Sequence, residues 1–142
     1  MAFTGNAFCT SAKVGFFTGT YTPLTDTMKI ALYTNLATLS ASTLIYTTVG
    51  EIPATGNYTT GGNILAGTAI SFAGTTAWLT FNNSTWLAST FNNVRGALIY
   101  DFSKSSAAIA VLDFGSDKTT RGTAFVVQMP LPGATTSILR IA

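Results

Sequence analysis

Apolar and polar residues alternate along several short stretches of this chain. Met28, Ile30 and Leu32 fall on one side of an extended strand, with Lys29, Ala31 and Tyr33 on the other; Phe125, Val127 and Met129 oppose Ala124, Val126 and Gln128 in the same way. Similar runs cover 43–49, 63–72, 76–81, 94–101, 107–114 and 137–141, divided by clusters of Gly, Asn, Ser and Asp. Threonine is the commonest residue. With Val, Ile, Phe, Tyr and Trp it favours extended structure, because branching at Cβ suits a pleated surface better than a helix. Short strands at regular spacing predict a mainly β chain, a single-domain antiparallel β-sandwich or jelly roll.

The first twenty residues differ. Phe8, Ala12 and Phe16 recur at every fourth position, which places them on one face of a short helix. Gly15 works against that helix. The division expected is an N-terminal helix or arm over 1–20 and a β-sandwich over 21–142. The longest stretch of turn-forming residues, Ala54 to Asn63, should be an exposed hairpin tip or a crossing segment, with Gly56, Gly61 and Gly62 free to take positive φ. There is no repeat of 20 to 50 residues and no low-complexity linker.

Composition narrows the function. At 142 residues the chain can bury a core without metal or disulfide. Only 8% of its residues are charged, against about 25% in an ordinary soluble domain, while 47% are hydrophobic. Mean hydropathy is +0.40. The net charge of +2 is spread thinly, with no basic cluster to follow a phosphate backbone, so nucleic acid is not an expected partner. No apolar run approaches the roughly 18 residues of a spanning helix, and a membrane is not expected either. The opening MAFTGNAFCTSAKV lacks a basic region followed by an apolar stretch and does not read as a signal peptide. A charge-poor surface is poorly soluble when bare, which implies that partners cover much of it.

Candidate chemistry is sparse. The chain has no histidine, which removes Ser-His-Asp and Cys-His arrangements and the commonest metal ligand. Asp113 and Asp117 are the nearest carboxylate pair. Strand-end and turn roles suit them better than catalysis, and they offer too few oxygens for Ca²⁺. Cys9, the single cysteine, has only Lys13 nearby as a cation and reads as a packed thiol. Trp78, Trp86, Tyr58 and Tyr100 could form a sugar-stacking platform or fill a sandwich core, and the core is the simpler reading. No cofactor, no metal and no catalytic residue is expected.

Five segments taken together resemble one family: MKIALYTNLATL from Met28, GNYTTGG from Gly56, VRGALIY from Val94, AVLDFGSDK from Ala110 and GTAFVVQMP from Gly122. They are similar, in order over about residues 7–141, to small virion structural proteins of tailed bacteriophages. The resemblance implies a β-rich domain displayed on the particle. Composition and resemblance together lead to a non-enzymatic capsid decoration or cement protein, placed on the capsid surface ahead of the tail. Its expected partners are the major capsid protein and copies of itself, as a homodimer or homotrimer. The alternatives are a tail, connector or fibre component, or a receptor- or glycan-binding module. Phe3, Phe8, Phe16 and Phe17 are the candidate interface residues, as aromatic anchors on a docking arm; the competing reading has them closing one end of the core.

Overall fold

The computed structural model describes residues 3–142. At its centre are three long strands: β2 (Met28–Thr34), β7 (Val94–Asp101) and β8 (Ala107–Lys118). With β1 (Ala7–Phe8) and β3 (Asn63–Ile64) they make a five-stranded antiparallel sheet in the order β1-β8-β7-β2-β3. A second sheet has the order β10-β5-β4, from β4 (Ala69–Ala73), β5 (Thr76–Thr80) and β10 (Leu139–Ile141), and β6 (Ser84–Ser89) pairs with β9 (Thr123–Val127). Strands make up 42% of the chain and helix 6%, in keeping with the expected mainly β sandwich with one short helix.

The alternation in β2 predicts one buried face, yet Ile30, Ala31, Leu32 and Tyr33 are all fully buried. One face of β2 and β7 lies under the irregular 36–52 segment. There Tyr33 Oη donates to the Thr47 carbonyl at 2.6 Å, and Tyr46 stacks on Tyr100 with ring centroids 4.7 Å apart. The opposite face belongs to the apolar cluster that includes Leu79, Trp86, Phe91 and Phe125 from the rest of the chain. A strand covered on both sides carries an almost continuous apolar run, and MKIALYT is one. In β9 the alternation holds, with Phe125 and Val127 buried and Ala124 and Val126 exposed.

Two expectations need correction. The 43–49 run is not a strand; it makes one bridge, Ile45 to Ala107, because it meets only the end of the β7-β8 hairpin and finds no edge to follow. The 63–72 run is broken between β3 and β4 at Gly67, which has φ +65° and presses on the Asn82 side chain. The 54–63 loop takes the second of its two expected forms, a crossing segment: Ala54 to Asn57, Thr59 and Thr60 are exposed, while Tyr58 and Gly61 are buried. Gly56, Gly61 and Gly62 take positive φ, as expected. At Gly62 a Cβ would meet the Ile30 carbonyl oxygen at 1.8 Å, so only glycine allows the close approach to β2.

The N-terminal helix α1 spans Thr10–Phe17. Phe8 lies outside it, in β1, paired with Ala110 of β8. Gly15, unfavourable for a helix, is where the Tyr21 ring packs: a Cβ would stand 2.1 Å from its Cε2. The helix ends at Gly19, with φ +72°, where the Gly19 and Thr20 N–H groups close back on the Phe16 and Gly15 carbonyls. Phe3, Cys9 and Ala12 belong to the same buried cluster as the central strands.

Candidate interaction surface

The four candidate phenylalanines do not act as one unit. Phe3 is 1% exposed, and its ring fills the space where a Cβ on Gly96 would be. Phe8 and Phe16 are half-buried and meet edge to face, centroids 5.8 Å apart. Phe17 is 82% exposed, and Val14, one turn earlier on the same side of α1, is exposed as well. One of the four is therefore core, two are the wall of a groove, and one stands free in solvent.

The groove joins α1 to the β10-β5-β4 sheet. Cross-strand partners share a face, so the register that sets Ile70 opposite Leu79 and Leu79 opposite Leu139 aligns those three side chains. Phe72, Ala77 and Ile141 form the next row on that face. Ile70, Leu79, Leu139 and Ile141 line an apolar groove of about 130 Å³, closed on the other side by Phe8, Phe16 and Pro23. The outer rim is bare: Ile70, Phe72 and Ile141 are exposed. A wider cleft of about 740 Å³ runs between β8 and the C-terminal segment, from Asn6 and Asp113 to Gln128 and Arg140.

Asp113 and Asp117 do not converge. Asp113 Oδ1 pairs with Arg95 Nε at 2.9 Å and accepts the Gly115 N–H at 2.8 Å, which holds its carboxyl below the usual range. Asp117 accepts from Asn35 Nδ2 at 3.4 Å. Cys9 is fully buried, and burial pushes its thiol up to about 11. It should resist a thiol reagent in the native state and react at the rate of unfolding; fast labelling of the native protein would contradict the packing. Trp86, Tyr58 and Tyr100 are core residues, whereas Trp78 keeps part of its ring exposed. Among the described residues no three acidic or thiol side chains gather as a metal site.

Two acidic clusters escaped the sequence reading. Glu51 accepts from Tyr46 Oη and Tyr58 Oη at 2.6 Å each and from the Gly61 N–H at 2.7 Å. Tyr100 Oη donates to the Gly61 carbonyl at 2.7 Å, and burial with the nearby Glu51 charge pushes its phenol up to about 12. Every phenol in this knot is shifted upward and stays protonated, so the knot ties loop to sheet and offers no proton relay near neutrality. The other cluster is Asp26 with Asp101. Asp101 is fully buried at the end of β7; Oδ1 accepts the Ser103 N–H at 2.9 Å, while Oδ2 is buried with no donor to it, and burial with the neighbouring Asp26 carboxyl raises its pKa. Neither cluster has a signature in sequence, since each is assembled from separate strands and turns.

No family model matches the chain, and neither curated proteins nor solved structures give a match.

Proposed function

We propose that this chain is a non-enzymatic virion structural protein of a tailed bacteriophage, a capsid decoration or cement protein that bridges and stabilises capsomers. The observation that carries this reading is the number of apolar side chains left uncovered on a tightly folded chain. The accessible surface is 7232 Å², close to the about 7,000 Å² expected of a folded monomer of this mass. The fold is therefore not loose. Yet fifteen large apolar side chains are exposed among the described residues, several of them in groups: Ile70, Phe72 and Ile141 on one sheet face, and Leu44, Ile45 and Val49 on one segment. Single exposed apolar residues are ordinary, but groups on a charge-poor surface mark sites that a partner covers. The ordered resemblance to small phage virion proteins supplies the partner class, with the major capsid protein as the principal contact. Cohesion would be distributed, with many copies each making modest contacts whose avidity exceeds any one of them.

Copy number per purified virion, measured by quantitative mass spectrometry, tests the reading. One copy per major capsid protein, or one per two, is expected; a few to a few dozen copies would replace it with a tail, connector or fibre role. Deleting residues 1–20 would also remove the buried Phe3, Cys9 and Ala12, so a docking role is better tested on Phe17. Phe17→Asp should leave the melting temperature unchanged and weaken binding to undecorated capsids about thirtyfold, the loss of one aromatic anchor. Unchanged binding would remove Phe17 from the interface.

A further inference from the structure

β4 is the open edge of the β10-β5-β4 sheet, and all five of its residues are exposed. The turn at Gly74 and Thr75 closes on the pair Ala73 and Thr76. A two-residue turn closes on a hydrogen-bonded pair, so Ala73, Ser71 and Ala69 engage β5, and the N–H and C=O of Ile70 and Phe72 point away from the sheet. No segment among the described residues pairs with that edge. Natural sheets guard free edges with charge, proline, bulges or a covering element. This one is unguarded: β4 and β5 pair without a bulge, and no Asp, Glu, Lys or Arg occurs between Glu51 and Arg95.

The strand Ala69-Ile70-Ser71-Phe72-Ala73 follows nearly the same pattern in both directions. A two-fold axis at Ser71 sets Ile70 opposite the partner's Phe72 and Ala69 opposite the partner's Ala73. Ile70 and Phe72 are the residues whose main-chain groups need partners, and this register satisfies both, with four hydrogen bonds across the axis. We infer that β4 pairs antiparallel with β4 of a second copy of this chain, joining two three-stranded sheets into one of six strands. The contact is isologous, as a closed dimer requires.

Side chains support the same register. Ile70 and Phe72 share the apolar face with Leu79, Leu139 and Ile141, so the partner's Phe72 would lie beside Ile70 at the mouth of the groove walled by Phe8 and Phe16. Phe72 is 76% exposed and has the most apolar surface to lose on that face. A strand edge alone is smaller than the about 800 Å² per partner of a standard interface. The Ile70 and Phe72 side chains that meet across the axis add apolar area to it, and so small a contact makes a weak, concentration-dependent dimer. Because the whole stretch is uncharged, two copies meet without like charges opposed. The pairing rests on the edge strand and not on the virion reading, and the two fail separately: a dimer in solution with no place on a particle would leave the pairing standing.

Sedimentation velocity of the full chain over a concentration series should show a monomer–dimer equilibrium. Ser71→Glu, which sets two carboxylates across the axis, should raise the dissociation constant at least tenfold, with the melting curve unchanged at concentrations where both proteins are monomeric. Ser71→Cys gives the positive test. Residues facing each other in a non-hydrogen-bonded pair have Cα atoms about 4.5 Å apart, within disulfide range, so mild oxidation should yield a covalent dimer, while Thr75→Cys at the hairpin tip should not. A monomer at all concentrations with no Ser71→Cys cross-link, a trimer, or a dimer indifferent to Ser71→Glu would each overturn the inference.

Discussion

Phe3→Ala should destabilise the fold by about 3–5 kcal/mol, the usual cost of emptying a buried aromatic site, whereas Phe17→Ala should change it by less than about 0.5 kcal/mol. The two residues are chemically identical and both come from the N-terminal segment; their surroundings separate them. Phe3 is 1% exposed, bridges to Leu39 and fills the space over Gly96, where the absent side chain leaves room for a ring. Truncation opens a void against two strand backbones that cannot collapse, since Gly96 is paired on both sides, with Tyr33 and with Asp113. Phe17 has no such enclosure. Total stability of a domain is about 5–15 kcal/mol, so the Phe3 variant should melt far below the parent. Urea unfolding with an unchanged slope would measure the difference; a loss under about 1 kcal/mol at Phe3 would mean that the N-terminal segment is not part of the folding unit.

What could be read from the chain follows from the range of each interaction. β7 spans the expected 94–101 because its hydrophobic run, strand partners and turn signals all agree. β6 was missed because NNSTW looks like a polar loop, although Trp86 is 2% exposed and anchors an aromatic cluster with Tyr58, Phe91 and Phe125. The strand is distorted at Ala88, whose φ of +47° shifts the register, so no clean alternation exists to detect. The 43–49 run shows the opposite failure: its β-branched and aromatic residues suit a strand, but strand formation needs an edge, and edges are a property of topology. The exposed apolar face of β4 was legible as residue types and not as a surface, since Ile70 and Ile141 become neighbours only through β5.

The same limit hid the acidic pair, whose members come from the turn before β2 and the end of β7. Asp26 is held by the Thr22 N–H at 2.7 Å and the Thr22 hydroxyl at 3.0 Å, with Lys104 Nζ 3.7 Å away. Those donors favour its charged form and pull its carboxyl below the usual range. Asp101 has the Ser103 N–H on one oxygen, but burial and the Asp26 charge dominate and push it up to about 6. The pair is therefore arranged to hold one proton, on Asp101, donated toward Asp26.

That arrangement fixes the sign of a pH effect. Asp101 is raised from 3.8 in the unfolded chain to about 6 in the folded one, so its contribution is full below about pH 4 and is lost as pH rises through 6. The folded state should lose roughly 2 kcal/mol from this site between pH 4 and pH 7. Asp26 and Asp113, both lowered, act oppositely: their contributions are present above about pH 4 and lost as pH falls below it. Stability should therefore peak near pH 4–5, below the usual optimum between 5 and 8. Asp101→Asn separates this account from a general charge effect, because an amide keeps a donor facing Asp26 at every pH. The variant should gain about 1–2 kcal/mol at pH 7.5, little at pH 4, and show a flatter slope between them in urea unfolding. Equal destabilisation at both pH values would mean that Asp101 carries its charge in the folded state and that Lys104, not a shared proton, holds this corner together.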